Sequence, residues 1–193
     1  MKKVELVYNE ILSQAMEKNN KTLTQSYLAN ALNISLSTVN LAIKPLESMN
    51  AIKIKKMGFD IIDVKRILYY WASKRNLEKD IIYKTRVDLP VKEIEKQMPN
   101  NIIFTAFSAY KFKFKDVPAD YSEVYIYGDE DIKKRFKESE KSPNLFVLKK
   151  DNLEKYGKTV TIANLFVDLW NLKQWYAKDF LNALEAKIGR ILE

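Results

Sequence analysis

The sequence predicts an α+β protein, and three observations lead to that prediction. Apolar residues recur at helical spacing in three successive short segments before residue 50. A lysine-rich segment with alternating apolar residues and a glycine at its centre follows, which is typical of a β-hairpin. From residue 78 onward, strand-like and helix-like stretches alternate to the end of the chain. This order of elements indicates a helical N-terminal part followed by a domain built on a small sheet.

The first two helices are predicted from apolar spacing and from capping residues. The stretch VELVYNEILSQAME carries one apolar face from Val4 to Ala15, and the polar KNNKTL interrupts it. Thr24 is then placed to cap a second short helix, QSYLANAL. Asn33 follows that helix, and asparagine tolerates the left-handed conformation that a tight turn between helices requires. We therefore predict a helix-turn-helix, with Ser35 capping the third helix.

The third helix, ISLSTVNLAIKPLESM, separates an apolar stripe from an outward face. The stripe consists of Val39, Ala42, Ile43, Leu46 and Met49. The outward face holds Ser37, Leu41, Lys44 and Ser48, with Thr38 and Asn40 on its flanks. Small polar side chains and one lysine suit the major groove of DNA, and an exposed leucine there can contact a thymine methyl group.

Pro45 lies inside the third helix, where proline removes a backbone donor and costs about 3 kcal/mol. One interpretation is that Pro45 bends the second half of a recognition helix toward the segment that follows. The other is that Pro45 begins a separate short helix, since proline is favoured at a first helical position. The sequence leaves both interpretations open.

The segment AIKIKKMGFDII is predicted to form a hairpin whose outer face is basic. Ile52 and Ile54 alternate with Lys53 and Lys55, and Gly58 is placed in the turn. Two helices, a third helix with a polar face and a basic hairpin, in this order, are typical of a winged helix-turn-helix DNA-binding domain. A plain helical hairpin within a bundle is the alternative. The predicted DNA-contacting residues are Ser35, Ser37, Thr38, Asn40, Leu41, Lys44, Lys53, Lys55 and Lys56.

The charge distribution favours the DNA-binding interpretation. The chain of 193 residues has a net charge of +8, and residues 1–76 hold 12 Lys and Arg against 6 Asp and Glu. The basic excess is therefore concentrated in the N-terminal part, which indicates an anionic partner. Cysteine and histidine are absent from the sequence, which excludes disulfides, thiolate chemistry and Cys/His zinc sites. We expect no cofactor and no metal.

We also expect a cytoplasmic protein without a membrane segment. No apolar run approaches the ~20 residues that span a bilayer. The N-terminus carries Glu5 and Glu10 within its apolar stretch, which is unlike a signal peptide.

A helix from Asp63 to Leu77 is expected to close the first domain, which gives a division into residues 1–77 and residues 78–193. Its apolar stripe consists of Val64, Ile67, Leu68 and Trp71. The stripe is either a dimer interface or part of the core of the N-terminal domain.

The second domain is predicted to be a small mixed α/β domain. Strands are expected in DIIYKTRVDL, SEVYIYG and NLFVLKK, and helices in VKEIEKQM, DEDIKKRFKESEK, ANLFVDLW and LKQWYAKDFLNALEAKIGRIL. The stretch YKFKFK alternates aromatic residues with lysines. It is interpreted as a half-buried strand rather than a platform for single-stranded nucleic acid.

Two further clusters in the second domain raise functional alternatives. Asp129, Glu130 and Asp131 are consecutive carboxylates at a helix start and point in different directions, so a solvated face is favoured over a Mg²⁺ site. The aromatic set Trp170, Trp175, Tyr176 and Phe180 is interpreted as core. Asp168 lies among apolar residues, and a buried carboxylate there requires partners.

Most of the chain resembles a family of archaeal winged-helix proteins and is distantly similar to AbiEi-type antitoxin regulators. The stretches that carry the resemblance are YYWASKRNL, IIFTAFSAYKF, PADYSEVYIYGDE, PNLFVLK and VTIANLFVDLWNLKQWYAKDFLNAL. The resemblance implies an N-terminal DNA-binding domain and a C-terminal α/β domain with an antitoxin or regulatory function. It also implies a nucleotidyltransferase-like toxin as a possible protein partner. No catalytic motif is carried over.

The function predicted from the sequence is that of a transcriptional regulator that binds double-stranded DNA sequence-specifically. We expect a homodimer, possible autoregulation of the antitoxin type, and no enzymatic activity. The alternative is a metal-dependent nucleic-acid-processing enzyme that docks through its winged helix. That alternative requires several acidic side chains converging at one site.

Overall fold

A computed structural model of the protein describes residues 1–192, and it describes the side chains as far as residue 189. The chain forms two compact units. The first unit contains Met1–Arg75, Thr161–Ala163 and the end of the last helix from Ala186; the second contains Asn76–Val160 and Asn164–Glu185. The sequence-based division had instead assigned everything after residue 77 to the second domain.

Unit one is an N-terminal helix-turn-helix followed by a hairpin. Its helices are α1 (Lys3–Glu17), α2 (Gln25–Leu32), α3 (Leu36–Ser48) and α4 (Val64–Lys74). Its strands are β1 (Thr22–Leu23), β2 (Ile52–Lys55) and β3 (Gly58–Ile61), which form an antiparallel sheet in the order β1-β3-β2. α1 packs against α2, α3 and α4, and the apolar faces of these helices form the core.

The stripe on α4 is part of this core. Val64 is 5% exposed, and Ile67, Leu68 and Trp71 are fully buried. Trp71 also lies within 3.5 Å of the Glu5 carboxylate of α1 through its indole nitrogen. Because the stripe is buried within unit one, it is not accessible as a dimer interface. The interpretation of the α4 stripe as core is therefore correct.

Unit two is a mixed four-stranded sheet with helices around it. The strands are β4 (Ile81–Thr85), β5 (Ile103–Thr105), β6 (Val124–Gly128) and β7 (Leu145–Lys149), in the order β4-β7-β6-β5. β6 and β7 are parallel, and the other two pairings are antiparallel. The helices are α5 (Val91–Lys96), α6 (Ala106–Phe114), α7 (Ile132–Arg135), α8 (Ile162–Trp170) and α9 (Ala177–Leu192). The first residues of α8 and the last residues of α9 group with unit one.

Side chains alternate across the sheet of unit two, and both faces are buried. Val124 and Ile126 of β6 belong to one apolar cluster with Ile94 of α5 and Ile132 of α7. Tyr127, next along β6, donates a hydrogen bond of 2.8 Å to Asp168 of α8. A strand that is covered on both faces has no polar side, which explains the apolar run in its sequence.

Asp168 is fully buried, and it has the partners that its position requires. The hydroxyl of Thr105 donates to Oδ2 of Asp168 at 2.7 Å, and the carboxamide of Asn164 donates to the same oxygen at 2.9 Å. With the bond from Tyr127, these contacts join β5, β6 and α8. The cluster is a structural network inside unit two.

Several sequence-based predictions in unit two are wrong. YKFKFK is not a strand, because its first five residues form the second half of α6 and Lys115 follows the end of that helix. Phe107, Tyr110 and Phe114 follow helical spacing along α6. α7 has only four residues, and residues 172–176 precede α9 rather than belonging to it. In the aromatic set, Tyr176 and Phe180 are core, whereas Trp170 is 44% exposed and Trp175 is 80% exposed.

Candidate nucleic-acid interface

The helix-turn-helix is set by three capping interactions. The hydroxyl of Thr24 accepts the N–H of Tyr27 at 3.0 Å and begins α2. Asn33 ends α2 in the left-handed conformation, with φ 51° and ψ 51°, and Ile34 N–H donates to the Ala29 carbonyl at 3.0 Å. Ser35 Oγ accepts the N–H of Thr38 at 3.2 Å and begins α3. These local signals confirm the predicted caps and turn.

α3 buries one face and exposes the other as predicted from its spacing. Val39, Ala42, Ile43 and Leu46 are buried, while Met49 follows the helix and is only half-buried. On the outward side Leu41 is 64% exposed, and Ser37, Asn40 and Lys44 are also exposed. A helix that presents small polar residues, one amide and one lysine has the chemistry that reads base edges.

The first turn of α3 carries a cluster of three hydroxyl groups. Ser35 is exposed, but its hydroxyl is bonded to the Thr38 N–H and lies 2.8 Å from Ser37 Oγ and 2.9 Å from Thr38 Oγ1. Ser35 therefore positions the start of the helix, and its contact with DNA stays a prediction. Leu36, which is not among the residues predicted to contact DNA, is 50% exposed beside this hydroxyl cluster.

Pro45 lies within one continuous helix, since α3 runs from Leu36 to Ser48. The interpretation that Pro45 begins a separate helix is therefore wrong. Near the same turn, Ser48 Oγ donates to the Lys44 carbonyl at 3.0 Å. Proline removes the N–H that would bond to the Leu41 carbonyl. A serine hydroxyl that donates to the carbonyl four residues earlier, as Ser48 does, often bends a helix. The bend itself stays a prediction.

The hairpin of β2 and β3 is the predicted wing, and its connection holds one basic residue, Lys56, and one apolar residue, Met57. Lys55 pairs with Gly58, so Lys56 and Met57 form the connection. Lys53, Lys55 and Lys56 are exposed, and Met57 is 83% exposed. Gly58 has φ +113°, and a Cβ atom there would lie 2.3 Å from the Leu23 carbonyl oxygen, so this position requires glycine.

The basic charge of the wing is partly neutralised by Asp60. Lys55 forms an ion pair with Asp60, and Thr22 of β1 donates to the same carboxylate at 2.9 Å. These two hydrogen bonds lower the pKa of Asp60. Lys53 lies directly opposite Asp60 in the β2–β3 register. Among the described residues, Lys44 and Lys56 have no carboxylate within ion-pair distance, so they carry the least compensated charge of this face.

Two acidic residues of unit one are withdrawn from its surface. Glu5 is 4% exposed and forms a buried ion pair of 3.0 Å with Arg75. Glu10 is 2% exposed and accepts hydrogen bonds from Tyr27 at 2.8 Å and from Gln14 at 2.9 Å. Burial and the bond to Glu10 raise the pKa of Tyr27 to about 12, so this tyrosine stays a donor. Because Arg75 is itself only 5% exposed, burial of the Glu5–Arg75 pair leaves the net charge on the surface of unit one unchanged.

Comparison with known proteins identifies the same segment. A family model for winged helix-turn-helix DNA-binding domains matches residues 10–53, which extend from α1 into β2. None of the curated proteins and none of the solved structures matches the chain. The match and the fold together support a DNA-binding regulator with an N-terminal helix-turn-helix domain and a second, sheet-containing domain. The archaeal family, the AbiEi-type resemblance and the toxin partner stay predictions.

The acidic residues of the second domain and the apolar character of the helices concern metal binding and membrane insertion. Within the described part of the chain, no group of three acidic residues is placed to hold a metal ion. Glu130 and Asp131 instead pair with Lys133 at 3.2 Å and Lys134 at 2.7 Å. No helix between residues 1 and 192 combines the length and the apolar character that crossing a bilayer requires.

Proposed function

We propose that the protein is a transcriptional regulator that binds a specific sequence of double-stranded DNA through unit one. α3 enters the major groove and reads bases with Asn40, Leu41 and Lys44. Ser37, Thr38 and the wing lysines contact the flanking sugar-phosphate backbone. The single observation that carries this proposal is the outward face of α3. This face is exposed and has no acidic residue between Leu36 and Lys44, and Ser35 caps the helix that presents it.

The chemistry of that face supports base reading. Asn40 can pair bidentately with adenine, Lys44 can donate to the acceptors of guanine, and Leu41 can contact the methyl group of thymine. Ser35 holds the first turn, and Ala42 and Leu46 anchor the opposite face in the core of unit one. A reading helix requires this rigid support, because its side chains must meet base edges in a fixed register.

The wing supplies affinity rather than specificity in this proposal. Lys53, Lys55 and Lys56 carry exposed ammonium groups on a hairpin whose strand β3 also pairs with β1. Point charges of this kind neutralise phosphates and carry no sequence information. The family match to residues 10–53 supports the assignment of this part of the chain to DNA.

A selection from random duplexes tests the proposal. The full chain is incubated with a pool of duplexes that share constant ends, and the bound fraction is amplified and sequenced over several rounds. We expect enrichment of one short motif. A variant with Asn40→Ala and Lys44→Ala should bind the pool and enrich no motif or a different one. A wild-type chain that binds the pool without enriching any sequence would overturn sequence-specific recognition.

A further inference from the structure

A small pocket of about 240 Å³ lies at the carboxyl end of β6 in unit two. Asp129, the residue that follows β6, and Arg135, the last residue of α7, both line it. Ile102 and Ile132 contribute apolar side chains that are only 5% and 3% exposed. β6 is parallel to its neighbour β7. In α/β sheets, ligands commonly bind outside the carboxyl ends of parallel strands, so this position favours a ligand site.

The positive charge of the pocket is the guanidinium of Arg135. Its Nη1 donates to the backbone carbonyl of Gln97, which follows α5, at 2.6 Å. Between residues 1 and 189, whose side chains the structure describes, no carboxylate lies within ion-pair distance of Arg135. A guanidinium has five N–H donors, so most of them stay available after this one bond. An anchored guanidinium with free donors suits a carboxylate, which it can bind through two parallel hydrogen bonds.

The negative charge of the pocket is the carboxylate of Asp129. Among the described side chains, no lysine or arginine lies within ion-pair distance of it. Asp131 lines the pocket too, but Lys134 compensates its charge at 2.7 Å. The pocket therefore presents one positive and one negative group that are not paired with each other or with another charged side chain of the described chain.

These two charges and the apolar lining select the chemistry of the ligand. A simple anion would be repelled by Asp129, and a simple cation by Arg135. A neutral apolar molecule would take both charges partly out of water without compensation. A molecule with an ammonium group, a carboxylate and a small apolar body satisfies all three features, and an aliphatic α-amino acid is such a molecule. A cavity of about 150 Å³ takes up benzene, so the pocket has room for it.

We propose that this pocket binds a free aliphatic α-amino acid. Arg135 binds its carboxylate, Asp129 binds its ammonium group, and the side chain lies against Ile102 and Ile132. Asp129 and Arg135 are exposed, so a dissolved ligand can reach both groups. The inference does not depend on the proposed function, because every residue of the pocket belongs to unit two and the DNA-contacting residues belong to unit one.

A nuclear magnetic resonance titration of the full chain with L-leucine, L-isoleucine, L-valine and L-methionine is the first test. At least one of them should bind with a Kd below about 1 mM and shift the amide signals of Ile102 and Ile132. The deaminated and the decarboxylated forms of the best ligand, which for leucine are 4-methylpentanoate and 3-methylbutylamine, should each bind at least about tenfold more weakly. The absence of shifts with all four amino acids at about 10 mM would overturn the proposal, and so would equal binding of either stripped form.

Two variants assign the roles of the charged residues. Arg135→Gln should weaken binding of the amino acid at least about tenfold and remove its advantage over the decarboxylated form. Asp129→Asn should weaken binding similarly and remove the advantage over the deaminated form. The controls Lys133→Gln and Glu130→Gln change the same charges at neighbouring positions that do not line the pocket, and they should bind like the wild-type chain. Unchanged selectivity in both pocket variants, or equal losses in the controls, would contradict the proposal, whatever the outcome of the selection from random duplexes.

Discussion

Asn33 joins α2 to α3 with φ 51° and ψ 51°, a conformation that costs most residues about 1–2 kcal/mol. We predict that Asn33→Val lowers the free energy of unfolding by about that amount, because a β-branched residue is strained there. Asn33→Gly should change it by only a few tenths of a kcal/mol. Urea denaturation followed by circular dichroism checks both variants. Equal stability of the two would contradict the assigned role of the turn.

Leu41 is the most exposed apolar residue on α3, at 64%. We predict that it contacts a thymine methyl group in the selected binding site. Replacing that thymine with deoxyuridine removes one methyl group, which corresponds to about 0.8 kcal/mol, or roughly fourfold in affinity. The wild-type chain should show this loss at one position of the site, and Leu41→Ala should show none. Wild-type binding that is unaffected by replacement of every thymine would refute the contact.

Glu5 and Arg75 show why burial at single residues was hard to anticipate. The sequence placed Glu5 in an apolar stretch, but it gave no sign that its partner lies 70 residues away. Ser35, by contrast, was correctly predicted to cap α3, because the signal and its target are three residues apart. The sequence could not show that the Ser35 hydroxyl also lies within hydrogen-bond distance of Ser37 Oγ and Thr38 Oγ1.

At the scale of the elements, the buried ion pair links the start of α1 to the residue that follows α4. We predict that Glu5→Leu destabilises unit one by about 3–5 kcal/mol, because it leaves the Arg75 guanidinium buried without this carboxylate. The double variant Glu5→Leu and Arg75→Met should recover much of the loss, since no charge then remains. Hydrogen exchange of the α1 and α4 amides measures the effect within unit one. A double variant as unstable as the single one would contradict this account.

The helices and the wing of unit one follow from local signals, whereas β1 does not. Caps, the Asn33 turn and the glycine hairpin each depend on residues within one or two turns of chain. β1 has only two residues, and its partners Phe59 and Asp60 lie more than 30 positions away. A pattern of two residues cannot predict a strand, so its presence is decided by the tertiary pairing.

The YKFKFK segment was misassigned because its alternation is too short to decide between periods. Over six residues, aromatic side chains at every second position satisfy a strand. Phe107, before the segment, extends the helical series through Tyr110 and Phe114. Contacts of Phe107 and Tyr110 with Phe180, at 4.9 Å and 5.4 Å between ring centroids, then hold this face. Tertiary packing thus overrides the short-range pattern.

At the scale of the whole molecule, the uneven charge predicts strong salt dependence of DNA binding. Each neutralised phosphate contributes a slope of about −0.9 in a log-log plot of affinity against salt. Replacing Lys53, Lys55 and Lys56 by alanine should reduce the slope by about two such contacts rather than three, because Lys55 is paired with Asp60. Alanine at Lys96, Lys134 and Lys149 of unit two, which are all well exposed, is the matched control. An equal effect of the two triple variants would contradict the assignment of the wing.

The whole-molecule organisation was only partly predictable. Alternating strand and helix patterns predict a sheet-containing second domain, and the structure has one. The sequence could not show that α8 begins, and α9 ends, among residues that group with unit one, because that depends on contacts across the chain. Trp170 and Trp175 are exposed, although the sequence predicts them to be core. An aromatic residue in a helical stretch is usually buried, and only the tertiary contacts decide whether it is.

The central claim is that α3 reads bases while the wing holds the backbone. A competition assay on the selected site against a scrambled duplex of equal length tests it most directly. Asn40→Ala and Lys44→Ala should each cost about 1–3 kcal/mol on the selected site and leave binding to the scrambled duplex nearly unchanged. Lys53→Ala and Lys56→Ala should weaken binding to both duplexes alike. If Asn40→Ala and Lys53→Ala instead shifted both duplexes in parallel, α3 would not be the reading element.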